Sequence, residues 1–212
     1  MRRPFTWLMS VILMCGLLWS HQLWAADVVG TDDRARGQAN APVTLIEYSD
    51  FTCGYCLKFF KDTWPRIQAR YVDTGKVRFL YRDYPRADQG PGFDAATAAR
   101  CAGAQGKYWP MHDRLFAEGG RLGKEVYLSH AAAIGLDRKS FEQCVKDGRY
   151  TKSIFDDRQE ANQWGFHGTP GFILVRTSSE PTDKEPAVAM PGAFPFEMFA
   201  EEIDRLLKTV PQ

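Results

Sequence analysis

The sequence predicts an α/β chain whose sheet is interrupted by a block of helices, and three observations predict it. Short apolar, β-branched runs at 43–48, 77–84 and 168–175 read as strands. Leu57, Phe60, Trp64, Ile67 and Tyr71, and again Phe196, Phe199, Ile203, Leu206 and Val210, recur at three, four, three and four, the stripe of an amphipathic helix. Residues 94–166, between the second and third strands, carry helical patterns and no strand signal.

A length of 212 residues, 25% charged and 44% hydrophobic, suits a globular domain able to bury a core, not a disordered or fibrous chain. The net charge of +1 gives no electrostatic footprint for phosphate, so nucleic acid is not an expected partner.

Residues 1–26 differ in kind from the rest. Arg2 and Arg3 precede an apolar run from Phe5 to Trp19, then Ser20-His21-Gln22 and Leu23-Trp24-Ala25-Ala26, which reads as a secretory signal. Leu23 stands where the cleavage pattern prefers a small residue, so an uncleaved anchor is the alternative. Cys15 follows Met14, which is bulkier than lipoprotein processing accepts, and reads as part of the apolar run. Beyond the signal remain Cys53, Cys56, Cys101 and Cys144, an even set in a chain directed out of the reducing cytosol.

Residues 27–41 mix charge, Gly and Ala without period and read as an irregular lead-in. Pro42 then opens the 43–48 strand, apolar on both parities except for Glu47, which shares a face with Val43 and Leu45. Cys53-Gly54-Tyr55-Cys56 follows at the start of the first striped helix, which Pro65 should kink. The 77–84 strand comes next, and then an insert of about 88–166 with helices over 94–104, 108–116, 124–134, 138–146 and 150–164. The chain returns to β at 168–175, crosses a polar loop at 176–186, adds a short strand at 187–190 and ends in the second striped helix. The domain spans 42–211.

Cys-x-x-Cys at a helix start has a mechanical meaning. The first sulfur meets unpaired amide N–H groups and the positive end of the dipole, which stabilise its thiolate. Cys53 is then the attacking sulfur, and Cys56, one turn inward, resolves the mixed disulfide. Half of a zinc site would need a second pair of ligands, which the spacing does not supply, so no metal is expected.

At these residues the chain resembles the thioredoxin superfamily, and within it the periplasmic disulfide oxidoreductases of the DsbA type. The matching stretches are Ala41 to Phe51 before the cysteine pair, Tyr81-Arg82-Asp83-Tyr84-Pro85, Cys101-Ala102, Gln105 to Trp109, His112-Asp113 and Gly168-Thr169-Pro170. The resemblance implies a thioredoxin fold with an inserted all-helical subdomain, and protein disulfide oxidoreductase activity without a cofactor. It makes Pro170 a cis-proline that lets the backbone before it pair with an extended substrate, and makes Thr169 a residue tuning redox behaviour. It makes Glu47 the acid beneath the site, able to relay the proton of Cys56 if burial raises its pKa; a satisfied strand-end charge is the other reading. Some members bond two cysteines within the helical insert, which for this chain would be Cys101 and Cys144; two inert buried thiols are the alternative.

The resemblance fixes the chemistry better than its direction. Strong oxidants of the DsbA type carry a histidine between their cysteines, whereas Gly54-Tyr55, with Thr169 before the proline, resembles the DsbC-type isomerases. Those isomerases also have an N-terminal dimerisation domain, which 27–41 is too short to supply. The leading expectation is an exported, periplasmic monomer that introduces disulfides into exported proteins through a Cys53 mixed disulfide and is recycled by a membrane partner of the DsbB type. Isomerase or reductase work driven by a donor of the DsbD type is the alternative within the class. A non-catalytic peptide-binding or chaperone module is the alternative outside it. Glutathione-dependent transferases of the same superfamily fit an intact Cys-x-x-Cys behind an export signal poorly.

Overall fold

A computed structural model describes residues 32–177 and 187–208. The signal at 1–26, the polar loop from 178 to 186 and Val210 lie outside the described residues.

Five strands form one sheet in the order β1-β3-β2-β4-β5: β1 (Ala35–Arg36), β2 (Val43–Ser49), β3 (Val77–Asp83), β4 (Gly171–Arg176) and β5 (Val188–Pro191). Central β2 runs parallel to β3, with Glu47 opposite Tyr81 and Ser49 opposite Asp83, and antiparallel to β4, with Glu47 opposite Phe172. A parallel pair needs a crossover. The first striped segment supplies it as α1 (Gly54–Lys58), a π-helical turn at Phe59–Thr63, α2 (Trp64–Ile67) and a second π-helical turn at Gln68–Val72. Pro65 lies one residue beyond the first of these turns, after Trp64. A proline lacks the N–H of the helical ladder and crowds the carbonyl one turn back, so the wider turn relieves both.

The helical insert comprises α3 (Pro91–Gly103), α4 (Tyr108–Ala117), α5 (Lys124–Ala133), α6 (Arg138–Lys146) and α7 (Thr151–Gln163); α8 (Phe196–Lys208) closes the described chain. One core gathers Val43, Leu45, Phe79, Phe172 and Leu174 from the sheet with Phe59, Trp64, Ile67, Phe199 and Ile203 from the helices. Each such apolar side chain contributes about 1.5–3 kcal/mol on burial. A smaller cluster of Tyr48, Ala161, Phe166 and Ile173 gathers residues of the opposite parity on β2 and β4.

The stretch 27–41 is not wholly irregular, because Ala35 and Arg36 pair antiparallel with Leu80 and Phe79. A strand of two residues has no period to read. Its neighbours hold it in place: Arg36 Nη2 donates to Asp113 (2.5 Å) and its guanidinium lies 4.2 Å from the centroid of Trp109, while Arg34 Nη1 donates to Asp157 (2.6 Å). Asp157 also accepts from Arg100 and from the amide of Asp83 (2.9 Å), and Arg100 Nε donates to Asp83 at 2.6 Å. This buried charge cluster ties β1, β3, α3 and α7 together, and removing one partner would strand the others in the interior.

Candidate active site

Cys53 is the N-cap of α1, with extended backbone (φ −81°, ψ 122°) and no side-chain cap over the first-turn amides. Those unpaired N–H groups are therefore left for its sulfur. The loop that delivers it is pinned by Asp50, whose carboxylate accepts from the amide (2.7 Å) and hydroxyl (2.6 Å) of Thr52 and from the amide of Arg86 (2.9 Å). Asp50 was not among the residues that the sequence singled out. Its signal was available as an Asp with Thr two residues on, the pattern of a side chain closing its own turn.

The structure brings five of the seven predicted site residues together. Cys53 Sγ donates to the carbonyl of Thr169 at 3.3 Å across 116 residues of sequence, and the Thr169–Pro170 peptide bond is cis. Pro170 is in turn fixed through its carbonyl, which accepts from Gly192 N at 2.8 Å. Gly171 after it has no room for a side chain, since a Cβ there would lie 2.7 Å from the ring of Phe166. Cys53 is only 4% exposed and Cys56 fully buried, while Tyr55 between them is 69% exposed. Glu47 is buried behind the pair.

The electrostatics separate the two thiols. Hydrogen bonding from Cys56 lowers the pKa of Cys53 to about 5; burial opposes this, and hydrogen bonding from the Thr169 side chain and from the amides of Cys56 and Tyr55 reinforces it. Burial pushes Cys56 well above the ordinary thiol range, helped by its hydrogen bond to Cys53 and by the charge of Glu47. Burial likewise raises Glu47 to about 8, against the hydrogen bonding of Ser49 and with the repulsion of Cys53. The arrangement holds one sulfur ionised and its partner protonated at neutral pH, with an acid beside them able to exchange a proton there.

Cys101 and Cys144, the remaining two, lie apart from this cluster and are joined across α3 and α6 as a disulfide, with Cα atoms 5.8 Å apart. A cavity of about 630 Å³ opens beside them, lined by Gln105, Lys139, Gln143 and Arg149 among others, and it includes none of the Cys53 group. Of the described histidines, His167 is exposed three residues before Pro170, and His112 and His130 are buried in the insert. Among the described residues no group of three or more His, Cys, Asp or Glu could hold a metal ion.

The thioredoxin family model matches residues 30–186. The chain belongs to the thioredoxin family. Within it the architecture is of the DsbA type, the thioredoxin fold with its helical insertion. The α-DsbA1 of Wolbachia pipientis superposes with a TM-score of 0.73 at 26% identity, over 82% of this chain and 90% of that one. A thioredoxin-like oxidoreductase from Silicibacter pomeroyi gives 0.65 at 27% identity, over 83% and 92%. The Na(+)/H(+) antiporter NhaA 1 of Salinispora arenicola is 36% identical over 143 residues, 67% of this DsbA-type chain but 21% of that protein. The chain thus spans about a fifth of the length of the curated relatives it matches, and among its described residues no helix is long and apolar enough to cross a membrane.

Proposed function

We propose that this DsbA-type protein is a periplasmic thiol:disulfide oxidoreductase that introduces disulfides into exported proteins through a mixed disulfide on Cys53. The observation that carries the direction is the stabilised Cys53 thiolate. A dithiol whose nucleophile is held as an anion is favoured in its reduced form, so its disulfide is a good oxidant.

A client thiolate attacks Cys53 Sγ of the Cys53–Cys56 disulfide, and Cys56 leaves as a thiolate that takes a proton from Glu47. A second client thiolate then attacks the sulfur bonded to Cys53, releasing oxidised client and the Cys53 thiolate. Two electrons pass from client to protein, and a membrane partner of the DsbB type restores the disulfide. Thr169 and Pro170, within 3.3 Å of Cys53 at the Thr169 carbonyl, offer backbone to an extended client segment.

Isomerase work under a donor of the DsbD type is the second reading, favoured by Gly54-Tyr55 with Thr169 and by the absence of a histidine between the cysteines. The reduction potential in glutathione buffers, with mass mapping of the cysteines that titrate, decides between them. A value near about −120 mV supports disulfide donation, and one at about −200 mV or below supports the isomerase or reductase reading. No titration at Cys53 and Cys56 overturns both in favour of a non-catalytic binding module.

A further inference from the structure

Asp50 is a charged residue only 2% exposed, and its contacts reach beyond the turn it closes. One oxygen, Oδ1, accepts from both the amide and the hydroxyl of Thr52, the residue before Cys53. The other, Oδ2, accepts from the amide of Arg86, where the chain leaves β3 for the helical insert; the Arg86 side chain is exposed. The carbonyl of Asp50 accepts from the amide of Cys53 at 3.0 Å. One residue thus ties the active-site turn to the entry of the insert.

The same carboxylate rests against the first turn of α3. A Cβ at Gly92, the second residue of that helix, would lie 2.7 Å from Asp50 Oδ1 and 3.1 Å from Oδ2. Such a contact is too close for a packed interior, so a methyl group there must displace either the carboxylate or the helix. The helix is held in place, since Tyr127 of α5 donates to the Pro91 carbonyl at 3.0 Å and Cys101 is bonded to Cys144 of α6. Gly92 is not among the glycines with positive φ, so what it supplies is close approach, not a left-handed turn.

We propose that Asp50 and Gly92 form a latch through which the helical insert positions the attacking sulfur. The insert, seated on the carboxylate at Gly92 and hydrogen-bonded to it at Arg86, holds the 50–53 turn so that Cys53 stays over the free amides of α1 and against the Thr169 carbonyl. Both are positioning residues, since they act on disulfide exchange through Cys53. A carboxylate near a thiol opposes its ionisation, whereas a carboxylate that aligns donors on the thiolate favours it. Charge and positioning therefore predict opposite signs when the carboxylate is removed.

The inference rests on the oxidoreductase reading, and its test separates the two. Asp50→Asn keeps the shape and removes the charge; whichever way the amide turns, the backbone N–H of Thr52 or of Arg86 meets an NH2 group. Gly92→Ala pushes on the carboxylate from the insert and leaves the active-site turn itself unaltered. Thiolate absorbance of the reduced protein gives the Cys53 midpoint, glutathione buffers give the potential, denaturant gives the unfolding midpoint, and stopped flow gives oxidation of a reduced peptide. Each variant should raise the Cys53 midpoint from about 5 by about one unit, with a potential more negative by about 30 mV, the tenfold equivalent. The unfolding midpoint of Gly92→Ala should not fall, because Ala is the better helix former. In an Asp50→Ala background, which has no carboxylate to displace, Gly92→Ala should add less than about 0.2 unit.

Stability lost with the Cys53 midpoint unmoved would make the contact merely structural and overturn the latch. A lower midpoint in Asp50→Asn would overturn it in favour of Asp50 acting as a bare charge, and an equal shift from Gly92→Ala in both backgrounds would show that Gly92 acts by another route. If the midpoints move as expected but the wild type oxidises no peptide, the oxidoreductase reading fails and the latch stands. If the wild type oxidises the peptide and the midpoints stay put, the latch alone fails.

Discussion

The two cysteine pairs of this protein are chemically the same and sit in opposite surroundings. Cys53 caps a helix, borders the Thr169 carbonyl and has a buried acid behind its partner. Cys101 and Cys144 are held between two helices, with alanines around the first and Phe141 near the second, and Arg100, next to Cys101 in sequence, is committed to Asp83 and Asp157. Neither pair is freely exposed, so exposure does not tell them apart. Donors aimed at one sulfur do.

The strongest way to break the comparison is to exchange the roles. Cys53→Ala should abolish oxidation of a reduced peptide, while a Cys101→Ala/Cys144→Ala protein keeps its rate within about twofold in the same stopped-flow assay. Equal losses in both would mean that the second pair takes part in turnover.

Stability should respond the other way. The second disulfide closes a loop over a separation of 43 residues, and loop-closure entropy puts its removal at about 4 kcal/mol in denaturant unfolding. A loss below about 1 kcal/mol would mean that the helical insert already constrains the unfolded chain.

Glu47 sharpens the first half of the comparison. Its carboxyl titrates at about 8 in the folded, reduced protein against 4.5 ordinarily, so the native state binds the extra proton and stability declines as pH rises from 4.5 through 8. Glu47→Gln should therefore be about 5 kcal/mol more stable than the wild type at pH 9 and no different at pH 4. A difference that does not change with pH would show that the side chain is not titrating in the interior.

The smallest effect should be at Tyr55. Its side chain projects outward, and only its amide supports the Cys53 sulfur. Tyr55→Ala should leave the Cys53 midpoint, read from thiolate absorbance, within about half a unit of its value near 5. The depressed midpoint also fixes a sign: its contribution to the reduced protein is complete above pH 9 and fades as pH falls through about 5.

How legible this was depended on the range of each signal. The strands at 43 and 77, the helix stripes and the Cys-x-x-Cys at a helix start are local patterns, and the sheet and the site follow them closely. β1 was not legible, because two residues make no pattern and only the pairing with β3 makes them a strand. The π-helical turns around Pro65 were legible as a disturbance but not as a geometry. Glu47 could be placed on the right face by parity, yet its strand neighbours Tyr81 and Phe172 could not, because register between strands distant in sequence leaves no local pattern.

The contact between Cys53 and Thr169 has one more consequence. A chain that emerges N-terminus first presents Cys53 long before Thr169, with the whole helical insert between them. Until β4 joins the sheet beside β2, the nucleophile has its helix but not its opposing wall. During that interval it is a thiol without its opposing wall, open to the wrong partner, including Cys101 or Cys144 of its own chain. Biogenesis of such a protein is therefore a race between synthesis of the last third of the chain and premature oxidation of the first.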